Sequence, residues 1–351
     1  MEDRFIVLEK YSLTPSKLST YNRVFRRTGK AGSYEDAQKL ATVKPKQTSA
    51  KYKLNKIFRR HHNFVLSDNA HRTLKQKIEW LYYFSKAQYV KTYSGKEIFN
   101  FKMAFLTLTL PSKQKTPTID VTKRLFNQFL TEIRSRTKME NYVWRLEFQS
   151  NGNVHYHIAT DTYIDYFFAQ KIWNRIIAKD GYISDFQSKF SGLSLSEYNK
   201  QVNASGKVAF SIIAKRYARG CAEKWQNPNS VDVKSVVSGK KIAFYISKYF
   251  SKDAKNGKKC NDLDTKENSE ALRLWFCSRS LSKLQTVTDF TEASKISFYQ
   301  IVSKAKEVKE VICRYARQLY YELRTLPQNE IKLLTLIFKD YAKKQGYQPA
   351  V

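Results

Sequence analysis

Cysteine, histidine, acidic residues and long apolar runs are all scarce in this 351-residue chain, and each scarcity excludes something. The four cysteines, Cys221, Cys260, Cys277 and Cys313, lie far apart and make no CxxC pair. That excludes a disulfide framework or a zinc ribbon and predicts a reduced, intracellular protein. No stretch of about 18 apolar residues occurs, so no membrane span is expected. The first residues, Met1-Glu2-Asp3-Arg4-Phe5, do not read as a secretory signal. Acidic residues number 31 against 63 Lys plus Arg, a net charge of +32. What the chain does have is 42% hydrophobic and 14% aromatic residues, enough for one or two buried cores, so disorder throughout is excluded. The excess charge is +14 over residues 1–103, +14 over 104–260 and +4 over 261–351. Such a surplus points to a polyanion, nucleic acid first, held with a steep dependence on salt.

Three regions are expected. Residues 1–95 read as a basic N-terminal arm and a helix. Within the arm Lys46, Lys51, Lys53, Lys56 and Arg59 alternate with Tyr52 and Phe58, as in a phosphate-binding segment or a solvated tail. Leu74, Ile78 and Leu81 predict a helix over 70–92. Residues 96–260 read as a regular α+β domain. Strands are predicted at 105–110, 142–149 and 154–160, and helices are predicted behind Asp120 and Asp165. Residues 184–230 read as an insertion with a Ser194/Glu197 capping box and a helix over 208–225. A strand at 231–236 and a helix from about 240 to 251 complete an order that fits an antiparallel, ferredoxin-like sheet with helices on one side. Residues 261–351 are expected to be mainly helical after a strand near 272–276.

His155-Tyr156-His157 is the sharpest motif in a chain with five histidines. On a strand, residues two apart share a face, so both imidazoles converge and can ligate a divalent ion. A three-residue loop, Asn151–Asn153, would set Glu147 opposite His157 and Gln149 opposite His155. An ordinary polar sheet face is the alternative. The second motif is Lys241 to Lys252, KIAFYISKYFSK. At helical spacing Lys241, Tyr245, Lys248, Tyr249 and Lys252 share an arc of about 100°. Cations beside a phenol favour the phenolate, the nucleophilic form, and a charged lysine can also hold a phosphate.

These segments resemble the HUH endonucleases, and in particular the two-tyrosine replication initiators of rolling-circle single-stranded DNA phages and bacterial plasmids. Residues 105–111 resemble the family's first motif, Glu147–Gly152 with His155-Tyr156-His157 the second, and Tyr245-x-x-Lys248-Tyr249-x-x-Lys252 the third. The resemblance covers about residues 100–255. It implies an RRM-like HUH sheet and an HUH endonuclease domain over 96–260. It also implies Mg²⁺ or Mn²⁺ on His155, His157 and Glu147, with Gln149 as an auxiliary group. Tyr245 and Tyr249 would be the nucleophiles, assisted by Lys248 and Lys252. The implied activity is nicking and rejoining of single-stranded origin DNA through a 5′-phosphotyrosine, leaving a free 3′-OH primer. Arg145, Lys241, Arg216 and Arg219 are candidate DNA contacts. No GxxxxGK[ST] loop is present, so a host helicase and polymerase are the expected partners, in a bacterial host cytoplasm. The alternatives are a non-catalytic basic nucleic-acid-binding protein and an HUH nickase serving transposition or mobilisation.

Overall fold

The computed structural model describes residues 5–26, 66–92, 94–236, 272–284, 287–289, 292–313 and 316–347. The strands in chain order are β1 (Phe5–Thr14), β2 (Lys17–Arg26), β3 (Gln88–Lys91), β4 (Glu97–Phe101), β5 (Met103–Thr109) and β6 (Tyr142–Phe148). They continue with β7 (Val154–Thr160), β8 (Val231–Val236), β9 (Trp275–Cys277), β10 (Val287–Asp289), β11 (Val308–Cys313) and β12 (Ala316–Tyr321). The helices are α1 (Asp68–Phe84), α2 (residues 118–136), α3 (Tyr166–Ala178), α4 (Tyr182–Phe190), α5 (Leu195–Val202), α6 (Phe210–Ala222), α7 (Arg279–Lys283), α8 (Glu292–Ser303) and α9 (Gln328–Lys344). The fold is mixed, with antiparallel sheets and helices. No helix among the described residues is long and apolar enough to cross a membrane. By contact the chain divides into two units, one of residues 57–74 and 85–278, the other of 1–56, 75–84 and 279–351.

The first unit holds a five-stranded sheet in the order β8-β5-β7-β6-β9, antiparallel throughout. Period-two alternation decides its two faces. Leu106, Leu108, Trp144, Leu146, Tyr156 and Ile158 share one core with Leu125, Phe129 and Ile133 of α2 and Ile172, Trp173 and Ile176 of α3. Phe126 stacks on Tyr156 with ring centroids 3.9 Å apart, and Trp173 donates its indole N–H to the Thr109 carbonyl at 2.8 Å. A one-residue slip of any central strand would turn this apolar row out of the core, so the register is strongly held. The opposite face carries Thr107, Arg145, Glu147, His155 and His157.

Local signals act as expected at most helix starts. Asp165 caps α3 by accepting from the N–H groups of Phe167 and Phe168. Ser194 and Glu197 form the capping box of α5. Asp120, by contrast, is no cap: α2 starts two residues earlier, behind Pro117, whose fixed φ suits a helix entry, and Asp120 sits in the first turn. The helix expected over 70–92 ends at Phe84, and Gln88–Lys91 turns instead into a hairpin with β4.

Residues 182–225 form a three-helix subdomain with its own small core of Phe190, Tyr198, Ile213 and Trp225. The end of α6 explains its shape. Trp225 N–H donates to Gly220 C=O at 2.7 Å and Lys224 N–H to Cys221 C=O at 3.1 Å, with Lys224 left-handed at φ 49°, which is a Schellman close. It folds the Trp225 ring back over Gly220 and into contact with α4 and α5. A Cβ on residue 220 would collide with three ring carbons of Trp225.

Two expectations about the ends of the chain need correction. Residues 5–26, expected within a basic arm, form the β1–β2 hairpin, closed where Thr14 pairs with Lys17. Residues 261–351, expected to be mainly helical, contribute β9, β10, β11 and β12. In the second unit β10, β11 and β12 join the hairpin in one antiparallel sheet, β10-β1-β2-β12-β11. Strands this short have no periodicity of their own to read; their partners are some 300 residues away in the sequence. The arm segment 44–60 and the helix expected from 240 to 251 lie outside the described residues.

Gly220→Ala is expected to loosen the helical subdomain by about 1–3 kcal/mol through overpacking against Trp225. Hydrogen exchange should report it as faster exchange of the α6 amides, with those of β5–β7 unchanged.

Candidate metal centre

The β6–β7 hairpin builds this site, and its turn sets the geometry. The loop has three residues, as the same-face requirement demands, but it is Ser150–Gly152 and not Asn151–Asn153. Gln149 N–H donates to Asn153 C=O at 2.8 Å, and Gly152 takes the left-handed position at φ 82°. Asn153 cannot be a loop residue because its side chain is engaged elsewhere. It is 2% exposed, donates to Ser112 C=O at 2.7 Å and accepts from Gln114 N–H at 2.9 Å. The register therefore differs by two residues from the expected one: Glu147 lies opposite His155, and Arg145 lies opposite His157. Gln149, expected opposite His155, pairs with Asn153 at the hairpin end.

Even so, the three expected ligands meet. His155 Nε2 is 2.8 Å from His157 Nε2, and Glu147 Oε2 is 3.3 Å from His157 Nε2 and 3.8 Å from His155 Nε2. Among the described residues this is the one His/Cys/Asp/Glu group able to hold a metal ion. A circle through the three atoms has a radius of about 2.0 Å, so one centre can lie at bonding distance, about 2.0–2.2 Å, from all of them. Three electron-pair donors this close repel one another unless a cation or a proton sits among them. The donor set, two imidazoles and a carboxylate, suits a divalent ion of the first transition row or Mg²⁺.

Two neighbours tune the triad. Thr107 on β5 lies opposite His157, with its Oγ1 3.1 Å from His157 Nδ1. A proton on Nδ1, donated to Thr107, leaves the Nε2 lone pair directed at the other two ligand atoms. Arg145 is 1% exposed, and its Nη1 is 3.7 Å from Glu147 Oε1. Burial pushes the Glu147 carboxyl up, but the hydrogen bond with His157 and the charges of His157, Arg145 and His155 outweigh it and hold the pKa below the ordinary value. Glu147 is therefore a carboxylate at neutral pH. Arg145 differs from its expected role: it is buried behind Glu147 and is not offered to DNA as a surface cation. Thr107 is a functional neighbour that sequence reasoning missed, although the Leu/Thr alternation of β5 already puts it on the histidine face.

Of the other candidates, Arg216 and Arg219 are exposed on α6, where Arg219 donates to Glu223 at 2.9 Å. Tyr245, Tyr249, Lys241, Lys248 and Lys252 lie outside the described residues.

Residues 103–254 match a family of replication-associated proteins, the ORF2 type. The match starts at β5, takes in the triad and the helical subdomain, and extends through the two tyrosines, covering less than half of the chain. It associates the central region with DNA replication. No curated protein and no solved structure matches the chain.

Titration with Mn²⁺ should show one site, lost in His155→Ala/His157→Ala. Thr107→Val should bind the ion about 10- to 100-fold more weakly while keeping its circular dichroism spectrum, because only the orientation of His157 is released.

Proposed function

We propose that this protein is a rolling-circle replication initiator of the two-tyrosine HUH type, which nicks and rejoins single-stranded origin DNA. The observation that carries the reading is the convergence of Glu147, His155 and His157 inside a stretch that matches replication-associated proteins and ends with the tandem Tyr-x-x-Lys segment. The strand order supports it too. Taking β5, β6, β7 and β8 as first to fourth, the order 4-1-3-2 with α2 and α3 sharing the core of one face is that of the ferredoxin and RRM-like sheets. The other face is then left to present catalytic groups.

Glu147, His155 and His157 would hold Mg²⁺ or Mn²⁺, which when bound supplies Lewis-acid polarisation of the scissile phosphate. Thr107 and Arg145 keep His157 and Glu147 aimed. The phenolate oxygen of Tyr245 or Tyr249 attacks phosphorus, and the P–O3′ bond breaks. The 3′ oxygen leaves as a hydroxyl, taking up the proton that the phenol gave up. Lys248 and Lys252 favour the phenolate and hold the phosphate oxygens. The phosphotyrosine keeps the energy of the broken ester, so a 3′-OH can later attack it and reseal the strand without ATP. A second tyrosine lets the regenerated origin be cut while the first is still occupied. Primer extension and unwinding fall to a host polymerase and helicase.

Labelled origin-containing single-stranded DNA with Mn²⁺ should give a covalent adduct that survives a denaturing gel. Tyr245→Phe/Tyr249→Phe should abolish the adduct. His155→Ala/His157→Ala should abolish it as well while keeping most DNA binding, because affinity comes from Lys and Arg. No adduct on any candidate origin, with metal supplied, would favour a non-catalytic DNA-binding protein.

A further inference from the structure

The helical subdomain takes no part in the metal chemistry, yet it is built to hold one helix firmly. Trp225 is its hub, with ring centroids 5.3 Å from Phe190 on α4, 5.1 Å from Tyr198 on α5 and 5.8 Å from Tyr217 on α6. Tyr217 also donates its hydroxyl to the Leu193 carbonyl in the α4–α5 turn at 2.7 Å. Asn203 bridges the α5–α6 connection, accepting from Val208 N–H at 3.1 Å and donating to Val208 C=O at 2.8 Å. The side of α6 that carries Ile213, Tyr217 and Gly220 is thereby fixed to the subdomain.

The rest of α6 faces solvent. Phe210 and Ile212 at its start are 57% and 46% exposed, and Lys215, Arg216 and Arg219 are exposed farther along. Acidic groups do not neutralise this face as a whole. The subdomain has three: Asp185 is paired with Lys115, Glu197 is used in the capping box and Glu223 is paired with Arg219. Lys215 and Arg216 have no acidic group of the subdomain left to pair with.

We propose that α6 is a docking helix for double-stranded DNA, seated in the major groove with Lys215, Arg216 and Arg219 on flanking phosphates and Phe210 and Ile212 toward the base edges. The proposal rests on DNA being the polyanion of the reading above, and not on the nicking chemistry. Thirteen residues make a rod about 20 Å long and about 10–12 Å across with its side chains, a fit to a groove about 12 Å wide. Cations on the flanks with apolar groups at the helix start match the division of labour in groove-reading helices: phosphates fix the position and base edges, thymine methyls included, are met near the N-terminus. A single strand would be served instead by exposed aromatic platforms. Of the two aromatic residues on α6, Tyr217 faces the core, and Phe190, Tyr198 and Trp225 are buried.

The test compares the full chain with Lys215→Gln/Arg216→Gln/Arg219→Gln on a labelled 24-base-pair duplex and on a 24-nucleotide oligo(dT), by fluorescence anisotropy across a salt series. The variant should lose about tenfold or more in duplex affinity, its log–log salt slope should fall by about 2–3, and its oligo(dT) affinity should stay within about twofold. An unchanged duplex affinity, or an equal loss on both DNAs, would overturn the proposal. Lysine-acetylation footprinting of the wild-type protein needs no variant to fold. Lys215 should be protected by the duplex and not by oligo(dT), and a Lys215 that stays reactive on the duplex would refute the seating. Neither measurement reads adduct formation, so failure of the nicking reading and failure of this one are separable.

Discussion

Three donor atoms within 3.8 Å of one another are an unfavourable arrangement until a cation joins them, and holding them there is the main task of the central sheet. The constraint that does so is the pairing of β6 with β7. Their apolar residues face a core shared with α2 and α3, so neither strand can slip by one residue without exposing that row. A slip by two is prevented differently, by Asn153. Its buried side chain is bonded to Ser112 and Gln114, which fixes where β7 begins. The histidine face is thus set from the other side of the sheet and from a neighbouring segment.

This division also explains what is legible in the sequence. Alternation over 142–148 and 154–160 is enough to identify the strands, the face that carries the triad and the odd-numbered loop. The caps at Asp165 and Ser194 are local hydrogen bonds and are legible for that reason. The exact pairing is not, because it is decided by contacts of Asn153 about forty residues away in the chain. Arg145 shows the same limit: an arginine alternating with apolar residues reads as a surface cation until the pairing brings Glu147 and His157 beside it. The terminal sheet is the extreme case, since β2 finds β12 across nearly the whole chain.

The charge of +32 now divides into separate tasks. Part of it, Arg145, is buried and serves Glu147. Part of it is braced on α6 by a tryptophan hub that keeps the basic helix rigid, so little conformational freedom is lost when an anion meets it. A rigid cationic helix and a metal-type site on one unit would let a replication protein grip DNA in one place and act on it in another.

The surrounding charge bears on the site itself. A chain this cationic opposes a further dication, and Glu147 is the one anionic ligand of the triad. Arg145 sits 3.7 Å behind it, so much of that negative charge is already compensated. On the proposed reading, the missing anionic charge is supplied by the DNA. A scissile phosphate next to Glu147, His155 and His157 adds ligand oxygens and offsets the local positive potential, so DNA and a divalent ion should each raise the other's affinity by the same factor. Such coupling would leave the DNA-free protein sparsely loaded with metal and the DNA complex fully loaded, confining a Lewis acid to the moment when a phosphate is in place.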